Sequence, residues 1–528
     1  KDNPFKRYME FLNDLGELSK IEEEFYKGIG REFISLLENT NMSKVYKMPV
    51  LMAFYNNSNV LMKVSEKQLL SSWKEFFSTG TNWKDLDKNM TLQKYKDISD
   101  KEHLKKILAM PVHFLLESGK GFFVKNADGT PYVTQFWDGV GSYLDFTNSD
   151  AFDFWGSQVT EKLLDFGIDA TWNDNNEFDI KATDAVAAGF GEKASACRIR
   201  PILTYLMVLS SYKAQMKKYP EKRPFLSTRS GNSGVRRLAQ TWSGDNFTSF
   251  HDLRFCHYVG MTMSLSGFYF YGHDLGGFSG EMPSEELLLR WMQHGVFEPR
   301  FTIHSWNGDG SATMPWSYES GLCGAKAILR QRKSLIPYLY NCAYNSVEND
   351  VPVQAPPYIY YNDENIDVNT DAFMLGRDVL ATCVLDEGVA QADVYLPKGD
   401  DWYLNETEKL YCGGSTVKVD LPSDKPVPYF IRSGSVFPVD EGECSYKSAE
   451  KVVFTVYPVK NGKFTARYFN DDGESFEYLK NNCVKLEFDV NCDNENVDVV
   501  VNNMGNVKFE PEIKLVSTDL RKLNVSVK

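Results

Sequence analysis

Between residues 150 and 350 the chain alternates short apolar runs with longer amphipathic stretches, and few folds accept that order. The runs are FGIDATWND, RPFLSTRSG, SLSGFYFYGHD and GVFEPRFTIHS; the longer stretches include DAFDFWGSQVTEKLL, IRPILTYLMVLSSYKAQMKKY and SEELLLRWMQHG. Strand-length segments separated by helix-length ones predict repeated βα units, and so a parallel sheet or barrel. After the helix-like GAKAILRQRKSLIPYLYNCAYNSVEND the texture changes to short strands: DVLATCVL, ADVYLP, STVKVDLP, VPYFIRSGSVFPV, KVVFTVYPV, FTARYFN and VKLEFDV. These read as one or two β-sandwich modules with boundaries near 355 and 440.

The first 120 residues differ from the rest. They carry 19 Lys and Arg against 17 Asp and Glu, while the remainder carries 39 against 55, and all nine cysteines lie beyond them. Helices are expected at NPFKRYMEFLNDLGELSKIEEEFY and KQLLSSWKEFF, around two apolar runs, MPVLMAFY and NVLMKVS, whose close spacing suits a hairpin. The expected organisation is a mostly helical head over 1–120, a (β/α) barrel over 121–354, a proximal β-sandwich over 355–440 and a distal β module over 441–528.

Composition excludes several functions. At 528 residues and 42% hydrophobic content the chain can bury two or three cores. A net charge of -14 argues against nucleic acid as the main partner of the barrel part. No apolar run reaches the roughly 18–20 residues needed to span a bilayer, so no membrane partner is expected. Nine cysteines without a C-x-x-C pair read as core thiols in a reducing compartment, and a cytoplasmic protein is expected. Secretion stays open as the alternative, since the chain begins at Lys1 rather than Met.

In a βα barrel, polar residues just after each strand open onto the site of chemistry. Asp174 and Glu177 follow the apolar run in TWNDNNEFDI, and Asp245 follows Trp242 in TWSGDN. Two carboxylates on different strands beside aromatic rings suit glycosidic cleavage, although helix N-caps use the same residue types. TWNDNNEF, LSTRSG, TWSGDN, GHDLGGF and RFTIHSWN, in this order, resemble glycoside hydrolase family 31, retaining α-glycosidases built on a (β/α)8-type barrel with C-terminal β-sandwiches. The likeness covers about residues 121–440. It implies Asp174 as nucleophile and Asp245 as acid/base, with Arg229 and His304 holding sugar hydroxyls, Trp242 and Trp137 walling the pocket and Asp274 at its rim. The substrate implied is an oligosaccharide or glycan end, with no cofactor.

Many α-glucosidases of the family have methionine after the nucleophile and proline after the glutamate, where this chain has Asn175 and Phe178. With QFWDGVGSYLDFTN, this is most similar to the branch removing α-linked N-acetylgalactosamine; an amide at 175 is suited to bind a polar substituent. An α-glucosidase or α-galactosidase-type activity is the alternative. His273, His294 and His304 lack metal-ligand spacing, and no metal is expected. Glu177 reads as a capping or pairing residue.

About five barrel strands can be placed, beginning near DATWND, and residues 1–120 match none of the family's early strand motifs. Residues 30–118 resemble, in outline, accessory segments near the ends of bacterial helicase-like proteins. A divergent start to the barrel and a truncated hydrolase joined to an unrelated head are both open, and with the latter comes the alternative of a non-catalytic, hydrolase-like protein that binds carbohydrate or another partner. The oligomeric state is not legible in the sequence.

Overall fold

The computed structural model describes residues 47–56, 59–60, 64–86, 90–108, 121–136, 139–442 and 451–528, with single positions between 16 and 27. The chain forms two units, Lys1–Phe154 with Phe178–Leu206, and Trp155–Glu177 with Met207–Lys528.

In the first unit, helices α1 (Lys47–Phe54), α2 (Glu66–Ser78), α3 (Leu92–Asp97) and α4 (Asp100–Ile107) surround a small core. Ser65 and Ser99 start α2 and α4 with capping boxes, each serine accepting from the backbone N–H three residues on. Trp73 and Phe77, one turn apart on α2, are fully buried, each contributing about 1.5–3 kcal/mol by leaving water. The expected helix at KQLLSSWKEFF is therefore present. MPVLMAFY is not the expected strand: all but its last residue lies in α1, because Val50 and Ala53, at helical spacing, bury against this core. The hairpin shrinks to an antiparallel pair, Tyr55–Asn56 with Asn59–Val60. The expected helix at the start of the chain lies outside the described residues. Further on, Val133–Phe136 pairs antiparallel with Gly139–Ser142, and Tyr143 stacks on Phe178 with centroids 5.2 Å apart.

The second unit holds five parallel strands in chain order: β1 (Ala170–Asn173), β2 (Phe225–Thr228), β3 (Thr241–Trp242), β4 (Tyr271–Asp274) and β5 (Arg300–Thr302). Ala170 pairs with Phe225, Ser227 with Gln240, Thr241 with Tyr271 and Gly272 with Arg300. Helix α5 (Ser149–Lys162) precedes β1, α6 (Arg200–Lys218) lies between β1 and β2, and α7 (Phe250–Leu265) and α8 (Glu285–Gly295) follow β3 and β4. Among the described residues the outer strands β1 and β5 have no further strand partner.

Helix α9 (Leu322–Asn349) leads into a six-stranded sheet that includes Val379–Ala381 and Tyr429–Arg432. Trp291, Phe297, Phe373, Trp402 and Phe430 are fully buried in one core shared by α7, α8, α9 and this sheet. The distal module packs Ser435–Asp440, Val452–Tyr457 and Glu512–Leu515 against a four-stranded sheet. The strand Ser435–Asp440 serves both modules, with Phe437 in the proximal core and Val436 in the distal one. VPYFIRSGSVFPV is two strands in different sheets, broken at Gly434, whose φ of 82° only glycine adopts without strain. No helix among the described residues is long and apolar enough to cross a membrane.

Candidate active site

Every strand of the parallel sheet hands its last residues to the same end. Asp174 follows β1, Arg229 follows β2, Asp245 comes three residues after β3, Asp274 closes β4 and His304 lies two residues past β5. The alternation of β1 sets which side chains face which way. Thr171 and Asn173 accept from Gln215 and Ser211 of α6 at 2.9 and 3.0 Å, so Trp172 points to the opposite face of the sheet. There its ring meets Trp242 and His304 edge-on, centroids 5.1 and 5.0 Å away, and Phe278 covers the far side of His304 at 5.1 Å.

Arg229 organises the charges. Its Nη1 lies 3.3 Å from Asp174 Oδ1 and 3.6 Å from Asp245 Oδ2. Its Nε and Nη2 grip Glu177 at 2.6 and 3.2 Å, and Nη2 also donates to Asn175 Oδ1. Burial works against the Arg229 charge, but Glu177, with Asp174 and Asp245, holds the guanidinium above its ordinary range. Because one nitrogen touches both aspartates, their nearest oxygens are at most roughly 7 Å apart, which admits the ~5–5.5 Å separation of retaining glycosidases. Their side chains are 43% and 52% exposed, within reach of a ligand.

The loops that carry these groups are pinned. Asn176 is buried; its Nδ2 donates to Thr228 Oγ1 at 2.8 Å, and its Oδ1 accepts from the Ser230 N–H at 2.9 Å, joining the turns after β1 and β2. Asn175 and Phe178 have φ of 51° and 50°, a left-handed conformation that costs a non-glycine residue energy and clusters at functional sites. Gly244, at φ 82°, makes the turn that presents Asp245.

Asp274 departs from its expected place. It is fully buried rather than at a rim, because the neighbouring strand supplies Arg300, whose Nη2 donates to Oδ1 at 2.9 Å. Burial pushes its carboxyl above the usual carboxylate range against the pull of Arg300, and Oδ2 has no hydrogen-bond partner. Trp242 is buried beneath the Arg300 guanidinium, 5.5 Å from its ring. Trp137 lies outside the described residues. His273 and His294 are also brought together, but at Glu298 and away from His304. Among the described residues no group of three or more His, Cys, Asp or Glu side chains is arranged to hold a metal ion. Trp172 and Asn176 went unassigned in the sequence, although both stand in the stretch that drew attention to Asp174. A cavity of about 920 Å³ lined by Ala170, Phe225, Gln240 and Phe270 opens at the N-terminal strand ends, the end that carries stability rather than chemistry in such folds.

Known proteins resemble this chain in sequence and fold. The family model for the glycosyl hydrolases family 31 TIM-barrel domain matches residues 73–342, and that for the glycosyl hydrolase family 31 C-terminal domain matches residues 350–437. Alpha-glucosidase 2 of Bacillus thermoamyloliquefaciens is 30% identical over 405 residues, 75% of this chain and 50% of that protein. Neutral alpha-glucosidase C of Mus musculus is 32% identical over 381 residues, 69% of this chain and 42% of that protein. The chain thus spans half or less of the length of these relatives. A solved glucosidase II alpha subunit superposes with a TM-score of 0.67 at 25% identity, covering 73% of this chain and 44% of that one. A family 31 dextranase of Flavobacterium johnsoniae shares the fold at a TM-score of 0.66 and 24% identity, over 75% of this chain and 52% of that one. The match opens at residue 73, on the buried tryptophan of α2, and so takes in residues 73–120 of the expected head. With two family domains matched in order over a (β/α)8-type barrel and its C-terminal β modules, the chain belongs to glycoside hydrolase family 31.

Proposed function

We propose that this chain hydrolyses terminal α-linked sugars of oligosaccharides or glycans with net retention of configuration. The observation that carries the reading is the single Arg229 nitrogen, presented after β2, within 3.6 Å of two half-exposed carboxylates at the C-terminal ends of the flanking strands β1 and β3. Asp174 attacks the anomeric carbon and forms a covalent glycosyl-enzyme, while Asp245 gives its proton to the departing oxygen. Asp245 then takes a proton from the water that releases the sugar. Arg229 offers the substrate a charged donor fork and keeps positive charge beside the nucleophile. The exposed ring of Trp172, backed by the buried Trp242, gives the sugar an apolar face and excludes water from the oxocarbenium-like state.

The names of the relatives support an α-glucoside as substrate. A second reading, an α-N-acetylgalactosaminide, rests on Asn175, whose Nδ2 lies 3.4 Å from Asp174 Oδ2, so that its amide stands beside the proposed nucleophile. A turnover screen across chromogenic α-glycosides decides between them. One α-glycoside is expected to release nitrophenol, with α-glucoside or α-N-acetylgalactosaminide turnover selecting the sugar. Asp245→Ala is expected to lower the rate about 10²- to 10⁴-fold, and Asp174→Ala to abolish it. Sugar binding without turnover on any substrate makes the protein a carbohydrate binder instead.

A further inference from the structure

Asp245 rides a four-residue turn whose ends are tied together. Ser243 Oγ hydrogen-bonds Asn246 Oδ1, and the Asn246 carbonyl accepts from the N–H groups of Phe278 and Ser279 at 2.8 and 3.0 Å. Behind this turn stands a chain of buried groups with no part in the proposed chemistry. His273 Nδ1 lies 2.9 Å from Ser243 Oγ, and its Nε2 lies 3.2 Å from Glu298 Oε1. His294 Nδ1 is 2.9 Å from the same oxygen, and His294 Nε2 is 3.0 Å from His257 Nδ1. All four side chains are nearly inaccessible. The two contacts to Glu298 are close but fall short of ideal hydrogen-bond geometry, so they act as polar contacts between closely packed groups.

Counting protons gives this chain a direction. Burial pulls His273 down to about 4 and His257 well below its ordinary value, so both imidazoles are neutral. Burial works to raise Glu298, but the imidazoles of His273 and His294 beside it carry it below the usual carboxylate range. Glu298 is thus the acceptor. A neutral His273 that presents Nε2–H to Glu298 must accept at Nδ1, and the only proton there is that of the Ser243 hydroxyl. The same hydroxyl faces Asn246 Oδ1, so the one proton of Ser243 ties both His273 Nδ1 and the Asn246 side chain to this oxygen. The Tyr271 side chain also hydrogen-bonds Ser243, and the Cys256 thiol donates to its oxygen. Arg300 donates to the His273 carbonyl at 2.8 Å, Tyr271 meets the His273 ring edge-on, and the Cys256 Sγ lies 3.7 Å from Ser243 Oγ. Arg332 stands by Glu298 and donates to the carbonyls of Val296 and Pro299.

We propose that His273, oriented by Glu298, is a positioning residue for Asp245: it fixes the Ser243 hydroxyl and, through the Ser243–Asn246 tie, aims the acid at the leaving oxygen. This rests on Asp245 being the acid/base. A loosened turn leaves the pocket and the nucleophile in place but misdirects the proton, so the loss depends on how much protonation the leaving group needs.

The test compares kcat/KM for the full chain on glycosides of one sugar with leaving groups from fluoride to an alkyl alcohol. Ser243→Ala and His273→Gln are expected to lower kcat/KM on the alkyl glycoside about tenfold or more while changing the fluoride value less than about twofold. KM is expected to change little, and the alkaline limb of the pH profile to move. Ser243→Ala removes one hydroxyl from a half-buried site, so it keeps the test open if His273→Gln does not fold. Equal losses on every leaving group, or none, overturn the proposal. Asp245→Ala separates the two levels. If it shows the leaving-group dependence and the other variants do not, only the positioning role fails. If it shows none, the acid/base assignment fails and takes the proposal with it.

Discussion

Glu177 shows how much a single residue sets in this site. The sequence suggested a capping or pairing role, and it is a pairing residue whose partner is the arginine between the two aspartates. With both of its forks occupied, Arg229 presents only Nη1 to Asp174 and Asp245. Glu177→Gln keeps the shape and one hydrogen bond but removes the charge that holds the guanidinium away from the nucleophile. Arg229 is then free to pair more closely with Asp174, which competes with attack on the sugar. Because Glu177 is 45% exposed, the change costs under about 1 kcal/mol of stability, but it is expected to lower kcat/KM about tenfold. Steady-state kinetics beside a thermal melt check this. An unchanged kcat/KM removes Glu177 from the site.

At the scale of elements, the neighbouring turns after β1 and β2 are joined by the buried side chain of Asn176, which bonds Thr228 and Ser230. Asn176→Ala leaves the Ser230 N–H and the Thr228 hydroxyl short of a buried partner. The expected cost is about 1–3 kcal/mol in unfolding free energy, with a fall in turnover as Asp174 and Arg229 separate. Denaturant unfolding with parallel kinetics would detect both, and a stable variant with normal turnover contradicts the account. The strands were legible because each is a short apolar run ended by polar residues, and that also located Asp174 and Asp245. What escaped has specific causes. Helix α7 buries Leu253, Cys256, His257, Gly260, Met261 and Ser264 at helical spacing, but a histidine, a glycine and a serine on that face erase the apolar stripe that would announce it. β3 is two residues long, too short for any period. MPVLMAF is apolar throughout, so its periodicity does not separate strand from helix, and packing against α2 decides. The burial of Asp274 depends on Arg300, a residue of the next strand, and the buried histidine cluster draws on α7, β4 and α8. Its one local sign was the i, i+4 spacing of His294 and Glu298.

For the whole molecule, that cluster couples fold and pH. His257, His273, His294 and Glu298 sit where the barrel helices and the proximal sandwich share one core, and Cys383 of the sandwich lies 4.0 Å from His257 Nδ1. Protonating the cluster therefore threatens both modules together. In the folded protein burial holds His273 down to about 4, whereas an unfolded histidine titrates near 6.5. Between those values the unfolded chain binds more protons, so the contribution is fully present above about 6.5 and is lost as the pH falls toward 4. It amounts to roughly 3 kcal/mol from His273, with His257 acting in the same direction. Glu298, held below its ordinary range, adds a further loss in the same direction at the acid end. Unfolding in urea at pH 7.5, 5.5 and 4.5 is expected to show the midpoint falling steeply in the wild type. The slope should be shallower in His273→Gln, which has no imidazole to protonate, and unchanged in Ser243→Ala, which keeps it. Parallel slopes in wild type and His273→Gln would place the acid sensitivity elsewhere and detach the cluster from the stability of the shared core.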